Sequence, residues 1–127
     1  MLEKDFQSKF TRWASYNHRS SAAFELKLTH TSSLQFDAVA SHQLQSLLSV
    51  KRGSFVYKIS DDSRGLKPFD CFSLSGEAYV VVMFYKRGQK EFFMIDVDQL
   101  VAESERSQRR SLTASRAAEI GTRCELA

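Results

Sequence analysis

The 127-residue chain has little that breaks regular structure: one proline, Pro68, and five glycines. That scarcity argues against a disordered or linker-rich protein. Cysteine is scarce as well. Cys71 and Cys124 form no CxxC pair and match no zinc-ligand spacing, so they read as reduced thiols in a cytoplasmic protein. No apolar run reaches membrane-spanning length, and "MLEKDFQSKF" carries no signal-peptide core. There is no GxxxxGK[ST] or GxGxxG loop for phosphates and no GxSxG elbow for a hydrolase. His18, His30 and His42 show no zinc-ligand grouping with cysteine or acids. Charge of one sign is nearly balanced, at a net +3, which permits nucleic-acid binding without demanding it.

What remains is an ordinary globular balance: 43% hydrophobic and 26% charged residues. The length suits one domain with one core. Leu2, Phe6, Phe10, Trp13 and Ala14 recur at three- and four-residue steps, the apolar stripe of a first helix. "NHRSS" ends it. Ala22 to Thr29 reads as a strand and "THTSS" as a polar turn. A second helix is expected from about Phe36 to Val50, with Gly53 just past its end. Phe55 to Ile59 and Phe69 to Leu74 read as strands around the polar loop "SDDSRGLK". "AYVVVMFY", Ala78 to Tyr85, is continuously apolar and should be a central strand covered on both faces. "KRGQ" makes a hairpin turn into "EFFMIDV". From about Asp98 the chain turns polar. A single domain over 1–100 is expected, followed by a loosely packed helical tail over 101–127. The fold class is α/β or α+β, with a mixed central sheet of about five strands flanked by helices.

One segment stands out. In "FELKL" the charged residues Glu25 and Lys27 sit two apart among Phe24, Leu26 and Leu28. On a strand they share a face. Burying them is costly unless they pair or serve a site. The alternative is an edge strand with a solvated ion pair. This is the only Asp/Glu-x-Lys in the chain. On the following helix Gln43 falls between Phe36, Leu47 and Val50, inside the apolar stripe. A buried amide needs partners, which a strand carboxylate, a ligand or the backbone could supply. His42 points almost the other way and should be exposed. Asp70 sits inside "PFDCF", where an isolated charge would be costly; its other reading is a strand-end residue bonded to the "SDDSRG" loop.

These pieces, "FELKLTHTSSLQF…HQLQSL" and "YKISDDSRGLKPFDCFSL", resemble the PD-(D/E)xK nuclease superfamily, in particular Holliday-junction resolvase-like members. The resemblance spans roughly residues 20–100. It departs from the usual order, because Asp70 follows Glu25 and Lys27 instead of preceding them. A permuted or migrated site is therefore implied, assembled in space. The resemblance implies a restriction-endonuclease-like fold and magnesium-dependent cleavage of branched or structured DNA, with manganese as a substitute. Glu25 and Asp70 would be metal ligands, with the backbone carbonyl of Leu26 as a third. Lys27 would be the catalytic lysine and Gln43 a support for the site. Two carboxylates supply hard oxygen ligands to magnesium, which activates water and neutralises charge on the phosphate. Glu3, beside Phe10 on the helical wheel, is the candidate third acid; its other reading is a solvated glutamate at a helix start.

Candidate phosphate contacts are Lys51, Arg52, Arg64, Lys67, Lys86 and Arg87, in basic loops that would bind without reading sequence. The resemblance also implies a homodimer on a branched junction. A catalytically inactive nucleic-acid-binding module of the same fold is the alternative function, and a structural subunit a third.

Overall fold

The computed structural model describes residues 1–18, 21–59 and 70–126. In chain order the elements are helix α1 (Glu3–Asn17), strands β1 (Ala22–Thr29) and β2 (Ser33–Gln35), a 3-10 turn (Phe36–Ala38), and helix α2 (Ser41–Lys51). Strands β3 (Phe55–Ile59), β4 (Asp70–Leu74), β5 (Glu77–Phe84) and β6 (Glu91–Asp96) follow. Helix α3 (Val97–Arg106), strand β7 (Ser111–Thr113), helix α4 (Ala114–Ile120) and strand β8 (Thr122–Glu125) complete the chain. The class is α+β. A mixed four-stranded sheet has the order β1-β5-β6-β8, and β2-β7 and β3-β4 form two separate ribbons. The expected sheet of about five strands is thus a four-stranded one. Among the described residues no helix is long and apolar enough to cross a membrane.

Two apolar layers hold the sheet. Strand β5 divides its side chains between them, as alternation requires. Val80, Val82 and Phe84 enter one core with Leu47 and Val50 of α2, Val97 and Leu100 of α3 and Ala117 of α4. Val81 and Met83 enter the other with Phe6 and Phe10 of α1 and Phe92 of β6. β5 is therefore central and covered on both faces, as its continuous apolar run demanded. Each large side chain buried this way contributes about 1.5–3 kcal/mol. On α1 the stripe holds at Phe6 and Phe10, but Leu2 precedes the helix and is 60% exposed.

β1 runs parallel to β5, with Glu25 opposite Val80 and Lys27 opposite Val82. Parallel neighbours need a crossover, and α2 supplies it. The second helix begins later than its apolar pattern indicated. Phe36–Ala38 form the 3-10 turn because the Phe36 amide is drawn to the Arg110 carbonyl at 3.0 Å. α2 ends as expected, with Gly53 at φ 72°, a conformation that glycine adopts without strain.

The C-terminal segment differs most from expectation. Residues 101–127 were expected as a loose helical tail. Instead α3 packs Leu100 and Glu103 inward, β7 pairs with β2, and β8 pairs antiparallel with β6. The reason is edge protection: β8 covers a β6 edge that would otherwise expose unpaired backbone groups. Leu112, Ala117 and Leu126 are buried there. Gly121 fits between α4 and β6 because a Cβ would lie 2.9 Å from the Met94 carbonyl oxygen.

Candidate active site

Alternation along β1 sends Phe24, Leu26 and Leu28 toward α1, where they pack on the Phe6–Phe10 layer. Ala23 packs on the opposite layer. Glu25 and Lys27 share its face, above Val80 and Val82, both fully buried. This is the face that α2 covers, not a solvated outer face. The Lys27 side chain is 14% exposed and that of Glu25 26%.

Gln43 closes the group. Its Nε2 donates to Glu25 Oε1 at 2.9 Å, and its Oε1 accepts from the Ala40 amide, also at 2.9 Å. The second bond satisfies a free N–H at the start of α2, the role of the glutamine in a capping box. Both ends of the amide are thus used, and the side chain has a single orientation. Lys27 Nζ lies 3.5 Å from the same Glu25 Oε1. That is an ion contact longer than a good hydrogen bond. Two groups therefore fix one carboxylate oxygen of Glu25. His42, the neighbour of Gln43, is exposed as its wheel position indicated.

The other expected members stand differently. Asp70 opens β4, which pairs with β3 through the register Ile59↔Asp70. Strand pairing does not set β4 beside β1, whose hydrogen-bonded neighbour is β5. Phe55 and Leu74 anchor this ribbon on the α2-side core. Asp70 is at its far end, about 13 Å along the strand from Leu74, and its side chain lies outside the described residues. Glu3 is exposed at the start of α1. α1 covers the face of β1 opposite to Glu25, so Glu3 does not join Glu25 and Lys27. The Leu26 side chain also belongs to the α1 layer; its backbone lies between the two charged residues.

Glu25 fits a hard cation as one ligand, being an oxygen donor held in place and half-buried. Magnesium uses one or two protein carboxylates and keeps several waters. Among the described residues no three His, Cys, Asp or Glu side chains group so as to hold a metal ion. A second carboxylate would have to come from Asp70.

Of the basic residues, Lys51 is already engaged. Its Nζ lies 2.9 Å from Asp96 and 2.7 Å from Asp98. Hydrogen bonds to Asp98 and Asp96 hold its pKa well above the usual lysine value. Lys51 ties the end of α2 to the start of α3, where Asp96 also accepts from the Asp98 amide. It is a structural ion pair and not an open phosphate ligand. Arg52, Lys86 and Arg87 are exposed. Arg64 and Lys67 lie outside the described residues.

One charged group escaped the sequence reading. Glu103 is 5% exposed on α3. Arg106 donates to it at 2.8 Å, and Arg116 of α4 donates to it and to Glu119. The signal was present: Val97, Leu100 and Glu103 follow one another at three-residue steps, so Glu103 lies on the buried stripe.

The chain matches no family model and no curated protein.

Proposed function

We propose that this protein is a magnesium-dependent endonuclease acting on branched or structured DNA, similar in its site to Holliday-junction resolvases. The observation that carries the reading is the convergence of Gln43 and Lys27 on one oxygen of Glu25, on the inner face of β1. A carboxylate, an amide and an ammonium held together at a half-buried position are the parts a phosphodiester hydrolase needs beside its metal.

In this reading Glu25 and Asp70 hold the metal, with the Leu26 carbonyl as a further oxygen. Bound there, magnesium would supply Lewis-acid activation of water and charge neutralisation at the phosphate. Lys27 orients the attacking water and stabilises negative charge on the phosphate oxygens. Gln43 is a positioning residue that fixes the Glu25 carboxylate. Arg52, Lys86 and Arg87, with Arg64 and Lys67, offer sequence-independent phosphate contacts. Two copies of the site in a homodimer would serve paired cuts on a junction.

A second reading has its own support. The Glu25 oxygen that Gln43 holds also has Lys27 as counter-ion, and β4 is not paired with β1. A self-satisfied pair of this kind suits a DNA-binding module without cleavage.

The experiment is cleavage of four-way junction, duplex and single-stranded DNA by the purified protein with magnesium or manganese. Glu25→Gln, Lys27→Ala and Asp70→Asn are assayed beside it. Cleavage lost in all three variants, with circular dichroism unchanged, supports the nuclease. Cleavage that survives Asp70→Asn removes Asp70 from the site. No cleavage of any substrate, with salt-sensitive DNA binding retained, selects the binding module.

A further inference from the structure

We infer that a groove between α1 and the β5–β6 turn binds an unpaired nucleic-acid strand, with bases on its aromatic rings and phosphates on its cations. The groove encloses about 740 Å³. Its walls carry the rings of Trp13, Tyr16 and Tyr85 and the cations of Lys9, Arg12 and Lys90. No carboxylate lines it. Among the described residues none of these three cations takes part in an ion pair, unlike Lys51, Arg106 and Arg116. Their charge is available to an anion.

The aromatics differ in how they are held. Trp13 is stacked on Phe10 at 5.8 Å and meets Phe92 edge-on at 5.0 Å, so its ring is rigid. Tyr85 meets His30 edge-on at 5.5 Å. Tyr16 is 76% exposed, and leaving that much ring in water forgoes the burial it would gain elsewhere. Fixed and exposed rings in one groove with unpaired cations offer a stacking platform and an electrostatic track, which suits unpaired bases. A duplex hides the faces of its bases and would meet only the cations. An acidic peptide would use the cations and leave the rings without a partner. The groove is on the α1 face of the sheet, opposite to Glu25, and the inference does not depend on cleavage there.

The test is fluorescence anisotropy of a labelled oligothymidylate with the full chain, in the presence of a chelator so that cleavage does not enter. A duplex of equal length and polyglutamate serve as competitors. The single strand is expected to bind more tightly than either. Tyr16→Ala should weaken binding about ten-fold or more while Tyr16→Phe retains it. Tyr16 is too exposed for its loss to unfold the protein, and circular dichroism checks this. Arg12→Ala should flatten the salt dependence by about 0.7 in the log–log slope. Absence of binding, equal binding by Tyr16→Ala, or equal displacement by duplex or polyglutamate overturns the inference.

Discussion

Gln43 Nε2 and Glu25 Oε1 lie 2.9 Å apart, joining the first turn of α2 to the middle of β1 across 18 residues of sequence. The amide that reaches the strand also caps its own helix through Ala40. One side chain therefore couples the start of the crossover helix to the orientation of a strand carboxylate. Gln43→Ala removes both bonds, and the expected cost is about 1–3 kcal/mol, because the half-buried Glu25 loses a donor. The denaturant midpoint should fall with the slope unchanged. Gln43→Glu keeps an acceptor for Ala40 but sets a carboxylate against Glu25, so it should lower the midpoint further than Gln43→Ala does. A midpoint for Gln43→Glu no lower than that of Gln43→Ala would mean that the Glu25 contact contributes nothing.

Glu103 gives a prediction about asymmetry. It is nearly enclosed, while the side chains of its partners Arg106 and Arg116 are 65% and 35% exposed. Removing the acid leaves two arginines that can turn to water. Removing both arginines leaves a buried carboxylate with no counter-ion. The double variant Arg106→Leu with Arg116→Leu should cost about 3 kcal/mol or more, and Glu103→Leu less than half of that. Urea unfolding of the two variants decides it. Similar losses would show that packing, not charge, sets the value of this cluster.

The legibility of the fold followed the density of apolar residues. β1 was readable to the residue, and β5 was recognised as central, because almost every position in "AYVVVMFY" is apolar. The region beyond residue 96 has few apolar residues, and they are spread over four short elements. Val97 and Leu100 serve α3, Leu112 serves β7, Ala117 serves α4, and Leu126 follows β8. Each element gains its place from tertiary pairing, with β2, β6 or the α2-side core, and no local period announces that. The site divides in the same way. Gln43 was legible because it interrupts an apolar stripe, but its partner was not, since a strand carboxylate, a ligand or the backbone could equally satisfy an amide, and the fold supplies both Glu25 and the Ala40 amide. Lys51 was not, since its carboxylates are 45 and 47 residues away and only the packing of α2 on α3 brings them together.

Tyr79 of β5 links stability to pH. Its hydroxyl is raised from 10.0 to about 12. Burial is the largest cause, followed by a hydrogen bond to Glu77 and the charges of Glu77 and Asp96, with Lys51 opposing. His18 also faces it, with ring centroids 6.0 Å apart, and pairs with Glu77. Between pH 10 and 12 the unfolded chain has lost this proton and the folded chain keeps it, so stability falls as pH rises through that window. Below pH 10 the contribution is complete. Tyr79→Phe should therefore flatten the alkaline decline in stability, even if it costs a little at neutral pH through the lost bond to Glu77. It should also remove a phenolate absorbance step centred near 12. Glu77→Gln, by removing the nearer negative charge, should move that step downward without abolishing it. An alkaline decline identical in Tyr79→Phe and the parent would place the titrating group elsewhere.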